Sequence, residues 1–322
     1  MIDGQLPSHQ PVSTMQYATD QAGIGTRILP GKTGTFWMKY TTGVMMRIPT
    51  FTLEAPTAQE IQTILWKGRV AVASYLLEPD ESHPTNASLY ICTDSSYSLE
   101  KLSANARRNV RHGLRELKIT SLTSEQVLAH GERAFCDTRR RVGLSDGTPQ
   151  EFRQRFIGRS RLPEHVYFGA WKDDQLAAFL SITEVDDWAE IEGSFSMDAL
   201  LELRPNDALN YSVLHHYLVE RNYRKVSYGV SSIQAESNAV GLHRFKTKLG
   251  LQAQPVYRAF AIHPLLRPFA NRVALRLINR ALSFRPGNPY LKKVEGMLAL
   301  LIGDVREVDT ASSDVGDRTM GN

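Results

Sequence analysis

The sequence predicts a mixed α/β fold with a mostly antiparallel sheet that runs into a βαβ crossover. Three observations carry this. Runs rich in β-branched and aromatic residues recur at short spacing, at Val166–Trp171, Gln175–Glu184 and Trp188–Met197. Polar turn residues separate them, Asp173-Asp174 and then Asp186-Asp187, and such short links demand antiparallel neighbours. An amphipathic helix, Asn206–Arg221, with Leu209, Val213, Leu214, Tyr217 and Leu218 on its apolar face, then leads to a strand at Lys225–Val230. That order requires a crossover.

The remaining elements follow in order. Residues 1–34 are polar, carry Gly23, Gly25, Gly31 and Gly34, and read as a flexible leader with little regular structure. Phe36–Ile48, Arg69–Leu77 and Ser88–Cys92 read as strands. A polar helix is expected from Ser98 to Leu117, with Ser98 as N-cap and Glu100 in its first turn. Helices follow at Ser124–Arg141 and Pro149–Arg159. After the crossover come a short helix, Ala239–Leu249, closed by Gly250, and a last strand at Tyr257–Ile262. The organisation is a leader (1–34), a first unit (35–117), a main domain (118–264), a basic helical tail (265–303) and a polar, disordered end (304–322).

Bulk composition narrows the function classes. With 42% hydrophobic and 22% charged residues the chain is an ordinary globular one. A net charge of +4 permits an anionic partner without demanding one. Cys92 and Cys136 make no disulfide framework and no zinc motif. His215 and His216 are adjacent on a helix and point apart, so no metal is expected. The N-terminus lacks a signal-peptide pattern and no run approaches a membrane span, so the expectation is a cytoplasmic protein.

Two motifs carry a resemblance. The segment 238–251, NAVGLHRFKTKLGL, looks like the fourth helix of the GNAT superfamily, and its Phe245-Lys246 and Leu249-Gly250 pairs are similar to those of Fem-type aminoacyl transferases. The segment 102–111, LSANARRNVR, is similar to the Leu-Ser-x-Asn-x-Arg-Arg-Asn-Ile-Arg pattern of the same proteins. The resemblance covers roughly residues 36–262. It implies a GNAT fold in tandem, with 35–117 as a reduced first unit, and transfer of an acyl or aminoacyl group to the amine of a cell-envelope or polysaccharide precursor. The donor would be an acyl-CoA or an aminoacyl-tRNA, lying between two splayed strands, Trp188–Met197 and Lys225–Val230. The acceptor would be a small-molecule or lipid-linked amine.

Such chemistry needs a base for the amine and a donor for the leaving group. Glu190, Glu192 and Ser194 share one strand face, and Gly193 allows close backbone approach. Glu192 is the candidate base, against the alternative of a solvated strand face. Tyr228 is the candidate proton donor, against a core tyrosine. Ser231 and Ser232, near that strand's end, are placed to meet a ligand. The resemblance assigns Lys246 to the anionic acceptor or the reacting centre, and brings in Asn238 and Phe245 from the same motif. Arg107, Arg108 and Arg111 line one helix with Arg115 and suit phosphate or RNA, or form a plain solvated face. By the same resemblance, coenzyme A users place Arg/Gln-x-x-Gly-x-Gly/Ala at the start of the crossover helix; here Arg204 matches the first position, while Asp207 stands where the first Gly belongs and would cap the helix and repel a pyrophosphate.

The tail 265–293 holds Arg267, Arg272, Arg276, Arg280, Arg285, Lys292 and Lys293 and no acidic residue, beside Phe269, Val273, Leu277, Ile278 and Leu282. It reads as a basic amphipathic helix, either packed on the domain or in peripheral contact with an anionic membrane. Two alternatives to the first function remain open: an acetyl-CoA-dependent N-acetyltransferase of a small amine, and a non-catalytic GNAT-like protein that binds RNA or an anionic surface.

Overall fold

The computed structural model describes residues 11–32, 34–143, 147–159, 162–232, 237–286 and 288–302. Eleven strands form one sheet, in the order β1-β2-β3-β4-β11-β5-β10-β9-β8-β7-β6.

The first unit runs α1 (Thr14–Gly23), β1 (Ile28–Pro30), β2 (Phe36–Thr41), β3 (Val44–Ile48), α2 (Ala58–Gly68), β4 (Val72–Leu77) and β5 (Ala87–Cys92). The expectation of a leader without regular structure is corrected here. Ser13 caps α1 by accepting from the Gln16 N–H, and Tyr17, Ala18 and Gln21 are buried. Helix α2 was also not foreseen, although Thr57 is a good N-cap and Ile61, Ile64 and Leu65 repeat with helical period.

The helix expected from Ser98 begins later. Residues 99–101 form a single 3-10 turn, and α3 (Ala104–Glu116) is capped by Ser103, which accepts from the Ala106 N–H. Next come β6 (Lys118–Leu122), α4 (Ser124–His130) and α5 (Glu132–Arg141), which break at Gly131, and α6 (Pro149–Arg159). Strands β7 (His165–Lys172), β8 (Gln175–Val185) and β9 (Trp188–Ser196) are joined by the two Asp-Asp turns, with Asp173 and Asp186 at positive φ. Helix α7 (Pro205–His215), extended by a π turn to Glu220, crosses to β10 (Lys225–Ser232). Then follow α8 (Ser237–Lys248), β11 (Gln252–Ile262), α9 (Arg272–Phe284) and α10 (Pro289–Leu301).

The sheet is packed on both faces. One core joins α3 and α7 to the sheet through Val110, Ala208, Leu209, Val213 and Tyr217. A second is aromatic and sits under α4 to α6, with Phe135, Phe152, Phe156, Phe179 and Phe195 packed together, and smaller clusters around Phe36, Trp37 and Leu89 hold the first unit. The strand and helix order of 165–232 is the mixed, mostly antiparallel arrangement with a crossover that the sequence predicts.

The feature that positions the site is where parallel pairing stops. Strands β9 and β10 pair only from Trp188↔Lys225 to Glu190↔Ser227. Along its other edge β10 pairs with β5 from Val226↔Cys92 to Ser232↔Ala87, with a register shift between Ser227 and Val230. Strands β3 and β4 pair over an equally short stretch, Val44↔Val72 to Met46↔Ser74. The sheet therefore opens twice.

Candidate active site

A cavity of about 340 Å³ lies between the two openings and takes its walls from both units. Strands β9 and β10 contribute Glu190, Glu192, Tyr228 and Gly229; α6 contributes Arg155 and Arg159; the first unit contributes Tyr17, Arg47, Thr50 and Tyr75; β11 contributes Arg258. The walls carry four arginines against two glutamates.

The two glutamates have opposite electrostatics. Burial raises the Glu190 carboxyl to about 7, with the neighbouring Glu192 charge adding to it. Thr50 Oγ1 donates to Glu190 Oε2 at 2.6 Å, and Lys246 also draws the value down, but neither cancels the desolvation. Glu192 is equally subject to burial, yet Arg159, His165 and a bond from Thr183 outweigh it and hold the group at about 2. Its Oε2 pairs with Arg159, and its Oε1 accepts from Thr183 Oγ1 at 2.7 Å. The carboxylate poised to take a proton near neutrality is thus Glu190, and Glu192 is an ionised anchor.

The register explains why the sequence pattern pointed to Glu192. Ile182 pairs with Ile191 while Ser181 pairs with Gly193, so Glu192 sits in a bulge that breaks simple alternation. Gly193 is needed by packing rather than by a ligand, since a Cβ there would lie 2.6 Å from the Phe195 ring.

Behind Glu192 runs a buried relay. Thr183 spends its proton on Glu192, so it accepts from His165 Nδ1 at 3.3 Å. His165 Nε2 is then free to accept from Gln21 Nε2 at 3.2 Å. Burial holds the His165 imidazolium down at about 4, so the ring is neutral at physiological pH. Helix α1 thereby reaches the site through Gln21 as well as Tyr17.

Tyr228 lines the cavity, and burial lifts its phenol to about 12, with Ser194 in hydrogen-bonding contact. It is protonated at neutral pH and can donate. Lys246 lies beneath it rather than in the wall. The residue is 3% exposed, and its ammonium donates to the Tyr228 carbonyl at 3.0 Å and to Ser231 Oγ at 3.1 Å and faces the rings of Tyr90 at 4.3 Å and Tyr228 at 4.8 Å. Burial lowers it to about 8, against the attraction of Glu190. Phe245 packs edge-on to Tyr228.

The other sequence candidates, Ser194 apart, lie elsewhere. Ser194 donates to Asn206 Oδ1 at 3.3 Å, at the start of α7. Arg107, Arg108 and Arg204 line a separate open cleft with Arg111, Arg115 and Glu202. Asp207 does not cap α7; Arg204 is the N-cap residue, without a side-chain cap bond, and Asp207 pairs with Lys248 at 2.5 Å. Ser232 ends β10 and Asn238 is in α8, and their side chains lie outside the described residues.

Sequence reasoning missed Arg47, Arg155, Arg159, Arg258, Thr50 and Tyr17. A signal existed for Arg47, a charge inside the apolar run Val44–Ile48. Its Nη1 donates to the Glu54 carbonyl, and its Nε is buried without a partner. Arg258 is desolvated, which lowers its pKa, and its Nε donates to Ser74 Oγ at 3.4 Å.

No family profile and no curated protein sequence matches the chain. Solved structures do. FemX is similar over 82% of this chain and 95% of its own, at 10% identity and a TM-score of 0.54. A conserved protein of unknown function from Bacteroides thetaiotaomicron is similar over 78% and 90%, at 9% identity and a TM-score of 0.50. At these identities the likeness establishes a shared fold, and the chemistry must be argued from the cavity.

Proposed function

We propose that the protein transfers an acyl or aminoacyl group to the amine of an acceptor that also carries an anionic group. The observation that carries this is the cavity itself: a buried carboxyl near pKa 7 beside a protonated tyrosine, walled by four arginines, at a break in the sheet.

The roles follow from that geometry. Glu190 takes a proton from the attacking amine. Past Glu190, β9 has no partner on the β10 side, so its backbone N–H groups on that side can bind the donor carbonyl and the oxyanion it becomes. The amine nitrogen forms its bond to the carbonyl carbon, the ester or thioester bond breaks, and the Tyr228 hydroxyl gives its proton to the leaving atom. Arg47, Arg155 and Arg258 bind a carboxylate or phosphate of the acceptor. Arg159 is spent on Glu192.

An aminoacyl ester on tRNA suits the remainder better than acyl-CoA. The open cleft beside the start of α7 gathers Arg107, Arg108, Arg111, Arg115 and Arg204, a spread that fits a nucleic-acid backbone. Cell-envelope precursors are acceptors of the required kind, with amine and anion on one molecule.

Single-turnover reactions test this, with charged tRNA or acetyl-CoA as donor and amino acids or amino-sugar phosphates as acceptors. Transfer from charged tRNA, lost in Glu190→Gln, is the expected result. Transfer from acetyl-CoA alone would replace the donor assignment. Unchanged transfer by the Glu190 variant would remove the mechanism.

A further inference from the structure

We infer that the face formed by residues 265–284 docks the protein on an anionic lipid surface. Leu265 and Phe269, in a 3-10 turn over Pro264–Phe269, and Val273, Leu277 and Phe284, on one side of α9, are 67, 69, 62, 63 and 76% exposed. Within α9 only Leu275 is buried. Ile278 and Leu282 lie on the far side of the helix and are half-buried. Val273, Leu277 and Phe284 therefore form an outer ridge with nothing over it among the described residues.

Charge chooses the partner. Arg272, Arg276 and Arg280 follow one another at helical spacing beside that ridge, and Arg267 and Arg285 bracket it; all five are exposed. The chain has no Asp or Glu between Glu236 and Glu295. An apolar ridge edged by arginines can sink into the interface of a bilayer while the guanidinium groups stay with the phosphates. A second copy of the chain would bring the same positive charge to the contact, which opposes self-association through this face. Asn271 fixes the helix start, its Oδ1 accepting from the Val273 and Ala274 N–H groups at 2.9 and 3.0 Å, so the ridge is preformed. This inference does not depend on the catalytic reading.

Vesicle sedimentation with the full chain provides the test, using phosphatidylcholine alone and phosphatidylcholine with phosphatidylglycerol. Binding to the anionic vesicles, weakened by salt and at least about tenfold stronger than to the neutral ones, is expected. Arg272→Gln/Arg276→Gln/Arg280→Gln should lose most of that preference, and Val273→Ser/Leu277→Ser/Phe284→Ser should lose binding, both with an unchanged circular dichroism spectrum. Absent binding, equal binding to both vesicles, or a dimer in sedimentation equilibrium that the ridge substitutions dissolve would each overturn the inference.

Discussion

The two openings of the sheet are built alike and equipped differently. Aligned by their three-residue parallel registers, Met46 stands in β3 where Glu190 stands in β9, and Tyr75 in β4 matches Tyr228 in β10. Past that point the strands diverge in kind. Strand β4 continues in unbroken register against β11, with Leu76 opposite Arg258. Strand β10 instead shifts register at the position matching Leu76, which is Gly229 at φ 69°. One opening keeps the tyrosine and lacks both the carboxylate and the bulge. The other has all three. A shared backbone plan thus provides the cleft, and the two openings differ in two local features, an acid and a kink, on which the proposed chemistry rests.

The largest effect should separate the two openings by rate. Glu190→Gln keeps shape and removes the base, so single-turnover transfer should fall about 100-fold or more. Met46→Leu, at the matching position across the cavity, should change the rate by no more than about threefold. Equal losses at both positions would mean that the cavity acts through shape alone.

Next in size is stability, through the anchor that only the second opening has. Arg159→Met strands Glu192 without its cation; with the pair partly open to solvent, at 32 and 20% exposure, the loss should be about 2 kcal/mol by denaturant unfolding. The sign with pH is definite. Glu192 is held at about 2, below its ordinary 4.5, so its contribution is complete above about pH 4.5 and disappears as pH falls towards 2. The difference between wild type and variant should close in that window. Glu190 works the other way. Held at about 7, it favours the folded state least once pH rises past that value, and Glu190→Gln should raise the melting temperature more at pH 8 than at pH 5.

A smaller effect tests the kink. Gly229 has a left-handed backbone, and Gly229→Ala should cost about 1 kcal/mol. A Cβ at Gly229 would lie 3.8 Å from Glu190 Oε1, an ordinary contact, so the cost comes from the backbone conformation.

How much of this was legible follows the range of the interactions. The strand, turn, helix and strand order of 165–232 is written in local patterns, and the Phe245-Lys246 and Leu249-Gly250 pairs marked α8 correctly. Helix α1 was not legible because its burial depends on partners far along the chain, such as Glu164 and His165 for Gln21. Glu190 and Glu192 both stood out as carboxylates on a strand. Which one is a base depends on Arg159, 33 residues away, and on a bulge that no periodicity reveals. The arginines of the cavity come from β3, α6 and β11, and only the folded sheet assembles them.

The smallest effect concerns Lys246 and distinguishes two roles for it. As a buried charge that draws the Glu190 carboxyl down, Lys246 sets the pH at which the base becomes active. Replacing it with Met removes that attraction, so the rising limb of the pH–rate profile, expected near pH 7, should move up by about half a pH unit or more. The plateau at high pH should change little. Lys246→Arg should leave the limb near its wild-type position, since the charge is kept. If Lys246 instead contacts the acceptor or the reacting centre, as its motif implies, the plateau itself should fall while the limb stays, and the arginine variant should fall with it. The first outcome makes Lys246 a positioning residue held under Tyr228 by the Tyr228 carbonyl and Ser231; the second requires it to leave those partners during turnover.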